Sequence, residues 1–229
     1  MARSGRKTRV YLEVGKKRTF AGAIDWPGWC RSGRDEEWAL HALADYAPRY
    51  ARALRRARLG FETPADVAAL AVTERLQGNA TTDFGAPDGS PADDAKRVEG
   101  RDLRRFHAIL KGCWRTLDAA ADAASGKPLR KGPRGGGRDL EAIREHVQGG
   151  DASYLNRLGW KFAEDTRDDL DKRMERTRKA IVTALKSAVA GWIPRRGPRG
   201  GVHWTARYFV RRLAWHTLDH AWEIEDRVL

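Results

Sequence analysis

The sequence predicts an α+β protein in which a small β-β-α-β domain precedes an antiparallel four-helix bundle. Short runs of β-branched and aromatic residues, separated by turn residues, are concentrated near the start of the chain, and such runs are typical of strands. Four longer stretches follow in which apolar residues recur every three or four positions, the spacing of an amphipathic helix. We therefore divide the chain into a first domain at 1–78, a linker or loop at 79–97 and a bundle at 98–229.

The first domain is predicted to contain three strands and one helix. The strands are expected at residues 9–14, 18–25 and 67–76. Gly15-Lys16-Lys17 separates the first two strands, which predicts a hairpin. The third segment fits a strand or a helix by its pattern, and we favour a strand. The helix is expected to begin near Asp35, whose carboxylate can cap it, and Pro48 should kink or split it.

The bundle is predicted from four amphipathic helices joined by rather short connections. The helices are expected at residues 98–124, 138–149, 165–192 and 205–228. The apolar residues Tyr154, Leu155 and Leu158 are able to continue the second helix beyond Gly149-Gly150. With short connections, we expect the helices to run up, down, up and down.

Composition and cysteine usage limit the class of protein. A hydrophobic fraction of 41% with nine tryptophans is too rich for a disordered chain. No stretch approaches the roughly 18 consecutive apolar residues of a membrane span, so we expect a soluble protein. The basic residues 1–9 lead into no apolar segment of the kind found in a secretory signal. Cys30 and Cys113 lie far apart without a CxxC motif, which argues against a disulfide framework and favours the cytoplasm.

The net charge of +13 is concentrated at the start of the chain. Residues 1–60 hold 14 of the 44 basic and 6 of the 31 acidic residues, a balance of +8. The remaining residues are nearly balanced. Because basic side chains neutralise phosphates, nucleic acid is one candidate partner for this segment. No helix-turn-helix, zinc-finger or RNA-binding motif accompanies the charge, so a solvated arginine-rich surface is the favoured interpretation.

Two predicted connections in the bundle share a sequence pattern. Lys131-Gly132-Pro133-Arg134-Gly135-Gly136 precedes the second helix, and Arg196-Gly197-Pro198-Arg199-Gly200-Gly201 precedes the fourth. In an up-down-up-down bundle both connections lie at the same end, beside the positive ends of two helices. Arg134 and Arg199 are therefore candidates for binding an anionic group. The alternative is that both segments are flexible, solvated connectors.

Three histidines form a candidate metal site. His216 and His220 are four residues apart on the fourth helix, so their imidazoles lie on one face. His146 lies about 12 Å along the second helix and His216 about 17 Å along the fourth, which gives a similar depth if both run the same way. Asp219 and Glu223 are candidates to orient a ligating imidazole. Surface or core histidines with solvated carboxylates nearby would explain the same pattern.

Three neutral imidazoles suit a divalent metal and leave a position open. Zn²⁺, Ni²⁺ and Fe²⁺ all accept imidazole nitrogen, and the sequence does not distinguish them. A metal held in this way can activate water as a nucleophile.

The start of the chain resembles the HicB-like antitoxin domain over about residues 9–60. The resemblance rests on the Asp25-Trp-Pro27-Gly28 turn, the Ser32-Gly33 step and the helix start Asp35-Glu36-Glu37-Trp-Ala39-Leu40, in which a tryptophan precedes Ala39. It implies a small β-α sheet domain that pairs with a protein partner through residues 1–78. In antitoxins of this family the partner is a toxin that cleaves RNA.

Residues 98–229 resemble the DinB/YfiT-like metal-binding four-helix bundles. The resemblance rests on Arg144-Glu-His146-Val and on Trp215-His216-Thr-Leu-Asp-His220. It implies that His146, His216 and His220 are the metal ligands. Relatives in this superfamily include thiol-dependent transferases, which implies a low-molecular-weight thiol and a small-molecule substrate.

Two functions follow from the sequence as expectations. The first is a metal-dependent transferase or hydrolase in which the metal activates a thiol or a water. The second is an interaction or regulatory protein, in which the first domain binds a partner and the bundle is a scaffold or sensor without catalysis. A homodimer formed through the bundle is open in either case.

Overall fold

The chain is mixed α/β and divides into two compact units, Met1–Lys96 and Arg97–Leu229. A computed structural model describes residues 7–131, 137–163 and 167–229. A four-stranded sheet forms in the first unit, and long helices form the second. None of the described helices combines the length and the apolar composition that crossing a membrane requires.

The sheet of the first unit has four strands where the sequence predicted three. The strands are β1 Thr8–Val14, β2 Thr19–Ala23, β3 Cys30–Gly33 and β4 Leu70–Gln77. Their order is β3-β2-β1-β4, with β1 antiparallel to β2 and parallel to β4. The strand β3 was not predicted because Cys-Arg-Ser-Gly contains no β-branched or aromatic residue. Its extended form depends on antiparallel pairing with β2.

Two consecutive helices follow β3 in place of one continuous helix. The helix α1, Glu36–Asp45, begins where the Asp35 carboxylate accepts a hydrogen bond from the Trp38 backbone N–H at 2.9 Å. The helix α2, Ala47–Leu54, follows at once, with Pro48 in its first turn. Proline is tolerated there because its missing N–H has no partner within the helix. The predicted cap and the predicted split are both present.

The segment predicted as a linker is held against the sheet by a buried carboxylate. It contains the short helix α3, Ala80–Phe84. Glu13 on β1 is fully buried and accepts hydrogen bonds from the Thr82 hydroxyl at 2.5 Å and from the Asp88 and Gly89 backbone N–H groups at 2.9 and 2.8 Å. The segment up to Lys96 therefore belongs to the first compact unit.

Replacing the buried carboxylate should destabilise the first unit. Glu13→Ala leaves three donors without their acceptor, and each buried unsatisfied group costs about 1–3 kcal/mol, so we expect a loss of about 3–5 kcal/mol. Urea unfolding followed by tryptophan fluorescence measures the loss. Glu13→Gln keeps one carbonyl acceptor and should lose less. A Glu13→Ala protein with the midpoint of the unaltered chain would contradict this role.

Four long helices form among the described residues of the second unit. They are α4 Gly100–Ala124, α5 Leu140–Leu158, α6 Leu170–Val189 and α7 Ala206–Arg227. The helix α5 continues through Gly149-Gly150, as the apolar residues beyond them suggested. All four helices contribute to a buried apolar cluster, which includes Leu117, Ala120, Ile143, Val147, Met174, Ala221 and Ile224.

Contacts at the helix ends show that α5 and α7 run in opposite directions. The Arg227 guanidinium, at the end of α7, donates to the carbonyl of Arg138, just before α5, at 2.9 Å. At the other end, the Trp204 N–H before α7 donates to the carbonyl of Arg157 near the end of α5 at 2.8 Å. The two helices that carry the histidines are therefore antiparallel.

The remaining contacts give an up-down-down-up bundle. The start of α7 contacts the start of α4 through Arg207 and Asp102, so these helices are parallel. Gln148 of α5 donates to Thr177 of α6. Arg144, four residues earlier in α5, pairs with Asp171, six residues earlier in α6, so these helices are parallel too. The predicted up-down-up-down order is wrong, and the starts of α5 and α7, which were predicted to lie at one end, lie at opposite ends.

The length of one connection makes the parallel arrangement of α5 and α6 possible. Residues 159–169 join α5 to α6. Eleven residues can span about 36 Å when extended. The 19 residues of α5 are only about 28 Å long. The chain can therefore return along the whole bundle before α6 begins, which a short connection would not allow.

Candidate metal centre

Three imidazoles from two helices converge in the second unit. His146 comes from α5, and His216 and His220 come from α7. One potential ligand atom from each residue lies within 4.8 Å of the others, and the group can hold a metal ion. The Nε2 atoms of His146 and His216 are 3.2 Å apart. His216 and His220 are 5% and 9% exposed, whereas His146 is partly exposed and so marks the open side of the group.

The histidines meet because the helices are antiparallel. His146 lies six residues after Leu140, and His220 lies seven residues before Arg227. His146 and His220 are therefore each about 9–10 Å from the same end of the bundle. The sequence predicted these three residues, but at one depth only if the two helices were parallel. The same residues converge for a different geometric reason.

The separation and protonation of the imidazoles fit a shared cation. Two nitrogens bound to one tetrahedral zinc at about 2.0–2.1 Å are about 3.3–3.4 Å apart, close to the observed 3.2 Å. Burial, with a contribution from the charge on His220, lowers the pKa of His146 to about 4. Burial also lowers the pKa of His216 well below its ordinary value. Both imidazoles are thus neutral at pH 7, as ligation requires.

The buried ring of His216 has one nitrogen without a hydrogen-bond partner among the described residues, Nδ1. Leaving such a group unsatisfied costs about 1–3 kcal/mol. The position is therefore a poor one for a purely structural histidine. Ligation of a metal through Nε2, which faces His146, gives a reason for an imidazole here.

A carboxylate and a guanidinium fix the orientation of His220. The Nδ1 of His220 lies 2.7 Å from one oxygen of Glu223, and Arg227 donates to the other oxygen at 2.6 Å. A carboxylate only accepts, so Nδ1 of His220 carries the proton and Nε2 is left for a metal. The hydrogen bonds from His220 and from Arg227 lower the pKa of Glu223. Of the two predicted carboxylates, Glu223 makes this contact. Asp219 is partly buried on α7 beside His220.

Arg227 is a functional candidate that the sequence argument missed. It is only 5% exposed, and besides Glu223 it donates to the carbonyls of Arg130 and Arg138 at 2.7 and 2.9 Å. It therefore joins the end of α7 to both sides of the connection between α4 and α5. Its spacing of four residues from Glu223 was the available signal.

A glycine on α5 allows His216 to approach the helix backbone. A Cβ atom added at Gly150 would lie 2.5 Å from Cε1 of His216 and 3.0 Å from Nδ1. A Cβ added at the preceding Gly149 would meet nothing within 4 Å. The two glycines, adjacent in sequence, thus have different roles: one faces the imidazole and the other faces open space.

Of the two predicted anion-binding arginines, the one that the structure describes, Arg199, lies away from the histidines. Arg134 lies outside the described residues. Arg199 is exposed in a tight turn closed by a hydrogen bond from the Gly197 N–H to the Gly201 carbonyl at 2.8 Å. His203, which follows this turn, packs against Gly159 at the end of α5, 13 residues or about 20 Å along that helix from His146. Anion binding by Arg199 stays a prediction, separate from the metal centre.

Other cationic and aromatic groups do surround the histidines. The positive charge of Arg138 contributes to the lowered pKa of both His146 and His216. The Tyr154 ring is 5.6 Å from the His216 ring, and the buried Arg212 donates to the Tyr154 hydroxyl at 3.3 Å. The side of the centre toward the end of α5 is therefore lined by an aromatic ring and a guanidinium.

Comparisons of the chain with models of known families, with characterised proteins and with solved structures found no match. The HicB-like and DinB-like resemblances rest on their sequence motifs.

Removing the carboxylate behind His220 should weaken metal binding. Glu223→Ala frees the His220 ring to rotate and change tautomer, and loss of such an outer partner typically costs about 10- to 100-fold in metal affinity. Titration of the metal-free full-length chain with Zn²⁺ measures the change. Glu225→Ala, which removes an exposed carboxylate from the same helix, is the control. Equal affinities of the two variants would contradict the role assigned to Glu223.

Proposed function

We propose that the second unit is a divalent-metal-dependent enzyme of the DinB-like type, acting as a thiol-dependent transferase or a hydrolase. The observation that carries the proposal is the convergence of three imidazole groups, two of them kept neutral by burial, around one point. The choice among Zn²⁺, Ni²⁺ and Fe²⁺ is left open by an all-nitrogen ligand set.

His146, His216 and His220 would hold the metal, and the other residues of the centre prepare them for it. Glu223 holds the proton of His220 on Nδ1, and Arg227 fixes Glu223. When bound, a divalent ion is a Lewis acid that makes a thiol or a water a better nucleophile at neutral pH. Three protein ligands would leave a coordination position for that nucleophile, and the partial exposure of His146 supports an open side on α5.

The cationic surroundings support a substrate or thiol with an anionic group. Arg138 acts electrostatically on two of the histidines, and Arg212 contacts the Tyr154 ring that packs against His216. Guanidinium groups bind carboxylates in a bidentate geometry, which would orient a small anionic molecule beside the metal.

Turnover assays on the full-length chain test the proposal. Metal-free protein is reloaded with Zn²⁺, Ni²⁺ or Fe²⁺ and assayed for conjugation of 1-chloro-2,4-dinitrobenzene to glutathione or mycothiol, and for hydrolysis of p-nitrophenyl acetate. We expect one reaction to require metal, to be lost in His146→Ala and to persist in His41→Ala, whose exposed histidine lies in the other unit. Metal binding without turnover in either reaction would contradict the proposed catalysis but not the proposed metal site.

A second candidate function belongs to the first unit, as a HicB-like module that binds a protein partner. Trp38 on α1 supports it, because its large apolar side chain is 53% exposed beneath the Arg34 guanidinium, 4.6 Å away. Exposed tryptophan and arginine are enriched at protein interfaces. A partner captured by the full-length chain should be lost in Trp38→Ala while metal content is unchanged. Retention of that partner by Trp38→Ala would argue against this surface.

A further inference from the structure

A row of exposed arginines lines the outer side of α2 and the turn that follows it. Residues 49–58 contain five arginines and no acidic residue. Ala47, Tyr50, Ala53 and Leu54 face the core of the first unit. Four arginines are exposed on the opposite side, and we call them the arginine ridge: Arg52, Arg55, Arg56 and Arg58.

The arginine ridge differs from Arg9, Arg34 and Arg75 of the same unit in its lack of acidic partners. Arg75 pairs with Glu36 at 3.0 Å, and Arg9 pairs with Asp25 at 2.7 Å. Among the residues that the structure describes, no carboxylate pairs with any arginine of the ridge. Four like charges so close together repel one another, and an external polyanion would relieve that repulsion.

The last arginine of the ridge has an unusual backbone conformation. Arg58 has φ +49° and is the one non-glycine residue with positive φ in the described part of the chain. The left-handed conformation costs an L-residue about 1–2 kcal/mol, a cost that glycine avoids. Its exposed side chain has no intramolecular ion pair among the described residues to offset that cost. An arginine at this position is therefore better explained by an external contact than by folding.

We propose that the arginine ridge binds the phosphate backbone of duplex DNA. Each guanidinium presents a fork of donors that matches two phosphate oxygens. Arg52 to Arg58 extends about 9 Å at helical rise, a length over which duplex DNA presents about five phosphate charges. Contacts of this kind are independent of base sequence.

The composition of the outer face favours duplex DNA over other nucleic acids. Tyr50, the aromatic residue of α2, is buried, so the ridge has no ring on which an unpaired base could stack. The exposed residues of this segment are Pro48 and the four arginines of the ridge, and none offers a hydroxyl or an amide acceptor for the 2′-hydroxyl of RNA. The ridge is equipped for phosphate contacts alone.

The test is binding of the full-length chain to a fluorescent 20-base-pair DNA, followed by anisotropy between 50 and 200 mM KCl. Four phosphate contacts predict a slope of log K against log salt of at least about −3.6, a fall in affinity of at least about 100-fold over this range. Arg52→Ala and Arg58→Gly should each reduce the slope by about 0.9. Arg58→Gly also removes the left-handed arginine, so its thermal midpoint should not fall and weaker binding cannot result from misfolding.

Arg75→Ala is the matched control, because it removes one exposed positive charge that Glu36 already neutralises. It should bind DNA with the slope of the unaltered chain. The proposal is overturned if Arg52→Ala and Arg58→Gly also keep that slope. It is equally overturned if duplex RNA, or vesicles of anionic phospholipid, compete for the chain as well as the DNA does.

Discussion

Gly150→Ala is expected to lower the affinity of the second unit for a divalent metal by at least about 100-fold. Removing a residue that orients a metal ligand typically lowers metal affinity by about 10- to 100-fold, so this loss is at the upper end of that range. The added Cβ would lie 2.5 Å from Cε1 of His216, a distance at which the ring must move away from α5. His216 would then leave the 3.2 Å contact with His146 that brings two ligand nitrogens together. Calorimetric titration of the metal-free chain with Zn²⁺ measures the loss.

Gly149→Ala is the matched control for this prediction. Its Cβ would point into open space, so metal affinity should be unchanged. Alanine is also the better helix former by about 1 kcal/mol, so the variant should be slightly more stable than the unaltered chain. Equal metal affinities for Gly149→Ala and Gly150→Ala would contradict the prediction, because metal binding would then not depend on the position of the His216 ring against α5.

Metal should stabilise the second unit strongly at neutral pH. At a free metal concentration 1,000 times the Kd, binding to the native state alone contributes about 4 kcal/mol. For a unit of this size that corresponds to a rise of roughly 10–15 °C in Tm. Scanning calorimetry with and without Zn²⁺ measures the shift, with His216→Ala as the variant in which it should disappear. An equal shift in that variant would contradict ligation by His216.

The same pKa shifts predict how the metal-free unit responds to acid. The pKa of His146 is lowered to about 4, and that of His216 is also lowered, whereas histidine in an unfolded chain titrates near 6.5. Between pH 6.5 and 4 the unfolded state therefore binds protons that the native state does not. Stability must fall as pH falls through this range. We expect Tm of the metal-free unit to drop by several degrees, and by less in His216→Ala.

Local features of the fold could be predicted from local sequence. The four bundle helices follow from apolar spacing, and the start of α1 and its separation from α2 follow from Asp35 and Pro48. The strand β3 could not be predicted, because its extended form depends on pairing with β2 and not on its own residues. Helix direction is equally non-local, since an eleven-residue connection permits a return along the bundle that no residue in it specifies.

In the candidate metal centre, too, the features that depend on local sequence could be predicted and those that depend on distant contacts could not. The spacing of His216 and His220 placed two imidazoles on one face of α7, and the expected depth of His146 along its helix, together with the DinB-like motif, added the third. Arg227 and Gly150 became evident only with the bundle assembled, because their roles depend on atoms from distant parts of the chain. Charge counting located a basic first domain, but only burial and ion pairing separate the arginine ridge from arginines that already have partners.

Metal binding by three single-histidine variants is the decisive test of the metal centre. The metal-free full-length chain and its His146→Ala, His216→Ala and His220→Ala variants are titrated with Zn²⁺, Ni²⁺ and Fe²⁺, the last without oxygen, with His41→Ala as the control. We expect one ion per chain for at least one of these metals, a loss of affinity of at least about 100-fold in each of the three variants, and no change in His41→Ala. Unchanged affinity and stoichiometry in the three variants would contradict the metal centre.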